Sequence, residues 1–244
     1  MAEDSAKELS NQEILSTLIL YTQLNAIEVK YPESYDKGKI DKALDALTSE
    51  KIKSIKEENH GYIPKLFYTW AVGYKDPGYT PPNKWEIDQI ITHVQKRFLE
   101  MPDLLISKDS DTANSPTLMV SMVKNATPDL LEEIIIRPNI MKMPADAPGY
   151  NNYGGNTIAH LVVSRVSAGI YESGGGGYDR KALEIELITE YPDVLALRNR
   201  QQESVLNIIE RLVSEWKDKT LMGKIQKAKA DMQEGEQELG EKLS

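Results

Sequence analysis

Apolar positions along the chain recur three and four residues apart, without the strict alternation of a half-buried strand. Ser10-Asn11-Gln12-Glu13 reads as a capping box, in which hydroxyl and carboxylate each satisfy an orphan donor of a first helical turn. It opens a helix with Ile14, Leu15, Leu18 and Ile19 at helical spacing that runs to about Lys30, where Tyr31-Pro32 ends it. The nine polar residues before it are expected to fray. A second helical stretch follows Asp36, with Ile40, Ala43, Leu44 and Leu47 on one side. A charged helix continues past Thr48 to about Asn59, with Gly61 as its stop. The N-terminal quarter therefore reads as a helical layer.

From Gly61 onward, short apolar helices alternate with irregular loops, and one phrase occurs three times. Pro102-Asp103-Leu104-Leu105, Pro138-Asn139-Ile140-Met141 and Pro192-Asp193-Val194-Leu195 each follow a short amphipathic helix. After the first and third copies comes a basic-polar pair, Lys108-Asp109 and Arg198-Asn199. A polar turn and a helix start at Ser115-Pro116 or Ser204-Val205 complete the unit. Such shared flanking grammar marks an internal repeat.

The middle copy leads into Gly155-Asn156-Thr157-Ile158-Ala159-His160-Leu161-Val162. This segment resembles the ankyrin-repeat signature at Gly155, Thr157, His160 and Leu161, with Ile158 replacing the proline and Ala159 standing where Leu is usual. Ser115-Pro116 matches the Thr-Pro step of another copy, and Ser204-Val205-Leu206 gives a third with Asn207 in the His place. Gly61-Tyr62-Ile63-Pro64 would open a degenerate first repeat. The resemblance spans roughly Gly61 to Trp216. It implies a solenoid of helix pairs in which Thr caps the inner helix and His bridges that cap to a neighbouring repeat. Outer-helix starts are legible at Asn83-Lys84-Trp85-Glu86 and at Thr127-Pro128, and Asp179 can cap a helix beginning near Arg180.

The inner-helix starts Pro64, Pro116, Ile158 and Val205 are 52, 42 and 47 residues apart, against an ankyrin period of about 33. The excess falls in three insertions, Gly73–Asn83, Pro144–Gly154 and Ala168–Tyr178. Between them they hold Tyr74, Tyr79, Tyr150, Tyr153, Tyr171 and Tyr178, six of the 12 tyrosines. Tyrosine among Gly, Asn, Pro and Ser is the mixture that recognition loops use. With Trp85 and Asn151, these tyrosines are the candidate partner-binding residues; the alternative is that they tack long loops onto the scaffold. Gly174–Gly177 reads as a hinge, since no strand precedes it and no Gly-Lys-Ser/Thr follows. His160 reads as a structural histidine, and His60 and His93 as surface residues.

Composition narrows the chemistry. With 244 residues, no cysteine and three histidines far apart in sequence, thiolate sites and paired-histidine metal motifs are excluded. A net charge of −9 without a basic block argues against nucleic acid as partner. No apolar run is long enough to span a membrane, and the opening Met-Ala-Glu-Asp-Ser lacks the features of a classical signal peptide, so a cytoplasmic protein is expected. No hydrolase, kinase or dinucleotide phrase is present, and neither cofactor nor metal is expected. From Lys217 a charged helix carries a faint seam of Leu221, Ile225, Ala228, Met232, Gly235 and Leu239, with Gly223, Gly235 and Gly240 weakening it. The closing Asp231–Ser244 has five acids and one base. It resembles the export signals of type IV-secreted effectors from intracellular bacteria, although an ordinary solvated acidic tail would look much the same.

The expected architecture is all-α: an N-terminal helical cap (1–60), degenerate ankyrin-like helix pairs (61–216) and an acidic helical tail (217–244). The expected function is binding of a protein partner through the repeats and their loops, in the more specific version a host protein met by a secreted effector. An enzyme with a site assembled from distant residues and a structural helical-repeat subunit are the alternatives.

Overall fold

A computed structural model of the chain describes residues 9–22, 37–72, 84–110, 112, 115–147, 151–167 and 177–242. Among them every regular element is a helix. They divide into two compact units, Met1–Asn125 and Ala126–Ser244. No helix among the described residues is long and apolar enough to cross a membrane.

In the first unit, α1 (Asn11–Thr22) opens with the expected capping box. The Ser10 N–H donates to the Glu13 carboxylate at 2.8 Å, and the Glu13 N–H donates to the Ser10 hydroxyl at 3.2 Å. Ile14 and Leu18 are fully buried. The Asn11 amide ties α1 to α3 (Ser49–Glu58) through Ser54 at 2.9 Å and Glu58 at 2.7 Å. Between them in sequence, α2 (Lys37–Asp45) buries Ile40, Ala43 and Leu44. The Thr48 hydroxyl caps α3 by accepting from the Lys51 N–H. That helix ends as expected at Gly61, whose φ of +91° only glycine adopts at no steric cost and whose N–H donates to the Lys56 carbonyl. Residues 23–30, the expected remainder of the first helix, lie outside the described residues.

Next, α4 (Lys65–Val72) buries Phe67, Tyr68, Trp70 and Ala71, and α5 (Lys84–Phe98) packs beside it. The Phe67 and Phe98 rings meet at 5.8 Å between centroids. Buried Gln95 donates to the Trp70 and Ala71 carbonyls at 3.1 and 3.0 Å, which supplies partners that the last turn of α4 lacks. The unit closes with α6 (Pro102–Leu105) and α7 (Leu118–Asn125), the latter lying against α4.

In the second unit, α8 (Pro128–Ile135) begins as expected with Thr127 as its cap and Pro128 in its first turn. It buries Leu130, Leu131, Ile134 and Ile135, and α9 (Pro138–Met141) follows. Then come α10 (Ile158–Ser167), α11 (Gly177–Thr189), α12 (Pro192–Leu195), α13 (Val205–Trp216) and α14 (Lys219–Lys242). Helix α11 starts at Gly177, so Asp179 lies inside its first turn and does not precede it as expected. The stretch expected as a separate tail is one continuous helix whose Leu221, Ile225 and Ala228 are buried against its neighbours α11, α12 and α13. Burial of that seam outweighs the roughly 1 kcal/mol that an interior glycine such as Gly223 costs a helix.

The thrice-repeated phrase forms the same structure each time. Here α6, α9 and α12 are four-residue helices with proline in the first turn and two buried apolar residues at the end. Met101, Arg137 and Tyr191, the residues before them, share φ near −115° and ψ near 80°. Five residues after each proline, a carbonyl accepts from the first N–H of the next long helix: Ser107 from Leu118, Met143 from Ile158, Leu197 from Val205. This superposes Thr117, not Ser115, on Thr157 and Ser204, a two-residue correction to the register expected from Ser115-Pro116.

Candidate functional site

The residues expected to bind a partner are unevenly placed. Tyr74, Tyr79, Tyr150 and Tyr171 lie outside the described residues. Trp85 and Tyr178 belong to α5 and α11, with side chains outside the description. Asn151 is exposed and Tyr153 half-buried, and both sit in the loop that precedes α10.

That loop is built on Asp146, whose carboxylate accepts from the Tyr153 N–H at 2.7 Å and the Gly155 N–H at 3.0 Å. One carboxylate thus gathers backbone donors seven and nine residues on and ties the two ends of the loop together. Pro144 then bridges antiparallel to Thr157, and Arg198 to Ser204 closes a second, tighter hairpin before α13. In the second hairpin Asn199 takes the part of the acid, accepting from the Gln201 and Glu203 N–H groups at 3.0 and 3.1 Å.

Sequence reasoning did not bring these two loops together; the structure does. The Arg200 N–H donates to the Gly154 carbonyl at 3.1 Å, and the Asn199 amide donates to the Asn156 side-chain oxygen at 3.0 Å. His160 supplies the third link. Its Nδ1 accepts from the Thr157 N–H at 3.2 Å and therefore carries no proton, which leaves Nε2–H to donate to the Glu203 carbonyl at 3.2 Å. Burial pushes the His160 pKa down, against a smaller opposing pull from the Glu203 carbonyl, so the ring is neutral. It is 1% exposed and fully used by its partners, a structural group as expected.

Gly155 is required twice over. Its φ is +72°, and a Cβ there would stand 2.5 Å from Arg200 Cγ and 3.2 Å from the Arg200 nitrogen. The stem of Arg200 thus lies across the space that a side chain at residue 155 would fill. The signal that could have found this contact was the Arg198-Asn199 pair itself, followed by a basic residue at 200 facing a glycine-rich loop.

The outward side of this double loop carries Asn151, Asn152, Arg198, Arg200, Gln201 and Gln202, all exposed. Arg198 donates to the Gln202 carbonyl at 2.7 Å and holds its own hairpin, where Gln202 has φ of +63°. Glu203 pairs with Arg211 at 2.6 Å, and Lys142, after the second copy of the repeat phrase, pairs with Asp193 in the third. A neighbouring cleft of about 360 Å³ is lined by Arg198, Ser204, Asn207, Glu210, Lys229 and Met232. Several of its polar groups are engaged: Glu210 pairs with Lys229 at 2.7 Å, and the Ser204 hydroxyl accepts from the Asn207 N–H while donating to its side-chain oxygen. Ser204 and Asn207 therefore repeat the Thr157–His160 arrangement with an amide in place of imidazole.

No protein-family model, no curated protein and no solved structure matches the chain.

Proposed function

We propose that the chain is a protein-recognition module of ankyrin-like helix pairs, with the loops 151–156 and 198–203 as its contact surface. One observation carries the reading. The two loops are locked to each other by the Arg200–Gly154, Asn199–Asn156 and His160–Glu203 hydrogen bonds, while the side chains of Asn151, Arg200 and Gln201 project outward. A fixed backbone bearing amide, arginine and tyrosine side chains reduces the ordering entropy that binding would otherwise cost. The Thr157–His160 bridge to the following hairpin, and the thrice-repeated helix-start geometry, agree with what the ankyrin resemblance implies. The cleft beside the loops has its serine, acid and lysine engaged in caps and ion pairs, which favours contact over catalysis.

The test is capture of a protein partner by the full chain. Alanine at both Tyr150 and Tyr153 leaves the helical circular dichroism spectrum intact and abolishes capture. Capture that survives alanine at Asn151, Tyr153, Arg200 and Gln201 together contradicts the assignment to the two loops. The narrower reading, a type IV-secreted effector that meets a host protein, is supported by the acidic closing residues. It requires that removing Asp231–Ser244 stop delivery in a translocation assay, and unchanged delivery refutes it.

A further inference from the structure

We infer that the double loop receives an acidic, carboxylate-bearing segment of the partner protein, read by Arg200; this rests on the recognition reading above. Arg200 is placed with unusual care for an exposed side chain. Its N–H is bonded to Gly154, its stem lies over Gly155, and its guanidinium has no hydrogen-bond or ion-pair partner among the described residues. The acids of the two loops have other partners: Glu203 pairs with Arg211, and Asp146 accepts from two backbone N–H groups. Arg198 is bonded to its own hairpin carbonyl. What the loops offer outward is two exposed arginines, Arg198 held by its own hairpin and Arg200 with its guanidinium unengaged among the described residues, on the same pair of loops as the exposed amides of Asn151 and Gln201.

That set fits a carboxylate in a peptide. The planar guanidinium matches a carboxylate with two parallel hydrogen bonds, and flanking amides can pair with a peptide backbone. It does not fit a nucleic acid, whose repeated phosphates call for several cations in a row.

The experiment is fluorescence anisotropy of the full chain with a labelled oligoglutamate peptide at low ionic strength, with oligolysine and an oligothymidylate as comparisons. The expected result is oligoglutamate binding that weakens roughly tenfold or more in Arg200→Gln. Arg200→Lys, which keeps the charge and loses the fork, falls between, and binding declines as salt rises toward physiological strength. Oligolysine binding that weakens in Arg200→Gln as much as oligoglutamate binding does, tighter binding of oligothymidylate, no binding of oligoglutamate by the unaltered chain, or equal binding by Arg200→Gln each overturns the inference. If Arg200→Gln keeps the protein partner while the tyrosine variant loses it, recognition stands and the acidic segment falls. Should the tyrosine variant keep its partner while Arg200→Gln loses the peptide, the tyrosine assignment fails instead.

Discussion

His160 and Gly155 are the residues on which the double loop depends, and each makes a testable claim. The unfolded chain titrates histidine near pH 6.5, whereas the folded chain holds His160 neutral to lower pH because the ring is buried. Between those values the unfolded state binds more protons, so stability rises with pH. The contribution is complete above about pH 6.5 and is lost as pH falls through the folded value. The melting temperature should therefore drop as pH falls below about 6.5, and His160→Gln should flatten that part of the profile. A slope unchanged by the substitution would show that His160 is not its source. The two adjacent glycines provide an internal control. Alanine at Gly154 (φ +61°) meets open space and loses only the roughly 1–2 kcal/mol of a left-handed residue. Alanine at Gly155 meets the Arg200 backbone as well, so its denaturation midpoint should fall further. Equal midpoints would refute the close loop contact.

At the scale of elements, local chemistry was readable where the residues that decide it are neighbours in sequence. The Ser10–Glu13 box, the Thr127-Pro128 start and the Gly61 stop all depend on contacts within one turn, and all stand where expected. The Pro102, Pro138 and Pro192 phrases proved to be one structural unit for the same reason. Two starts were misjudged. Ser115 and Thr117 both carry hydroxyls, and what selects Thr117 is the bond from the Leu118 N–H to the distant Ser107 carbonyl. Asp179 suits a cap, yet α11 begins two residues earlier at a glycine. The link between the two loops was illegible, since it joins residues some 43 apart through a glycine's missing side chain. Element-level energetics follow from the caps. Thr127→Ala should lower stability by about 1 kcal/mol, because it orphans the Leu130 N–H. Lys217 holds φ of +58° at the end of α13, so Lys217→Gly should raise stability by up to about 1 kcal/mol. Urea midpoints of the two variants should move in opposite directions.

For the whole molecule, the proposed recognition role rests on one pair of hydrogen-bonded loops in the second unit, 151–156 and 198–203. The most direct test is hydrogen exchange on the full chain, alone and with a captured protein partner. New protection should appear in the backbone of residues 151–156 and 198–204. Protection confined to other segments, with those two loops exchanging as they do in the free chain, would contradict the central claim.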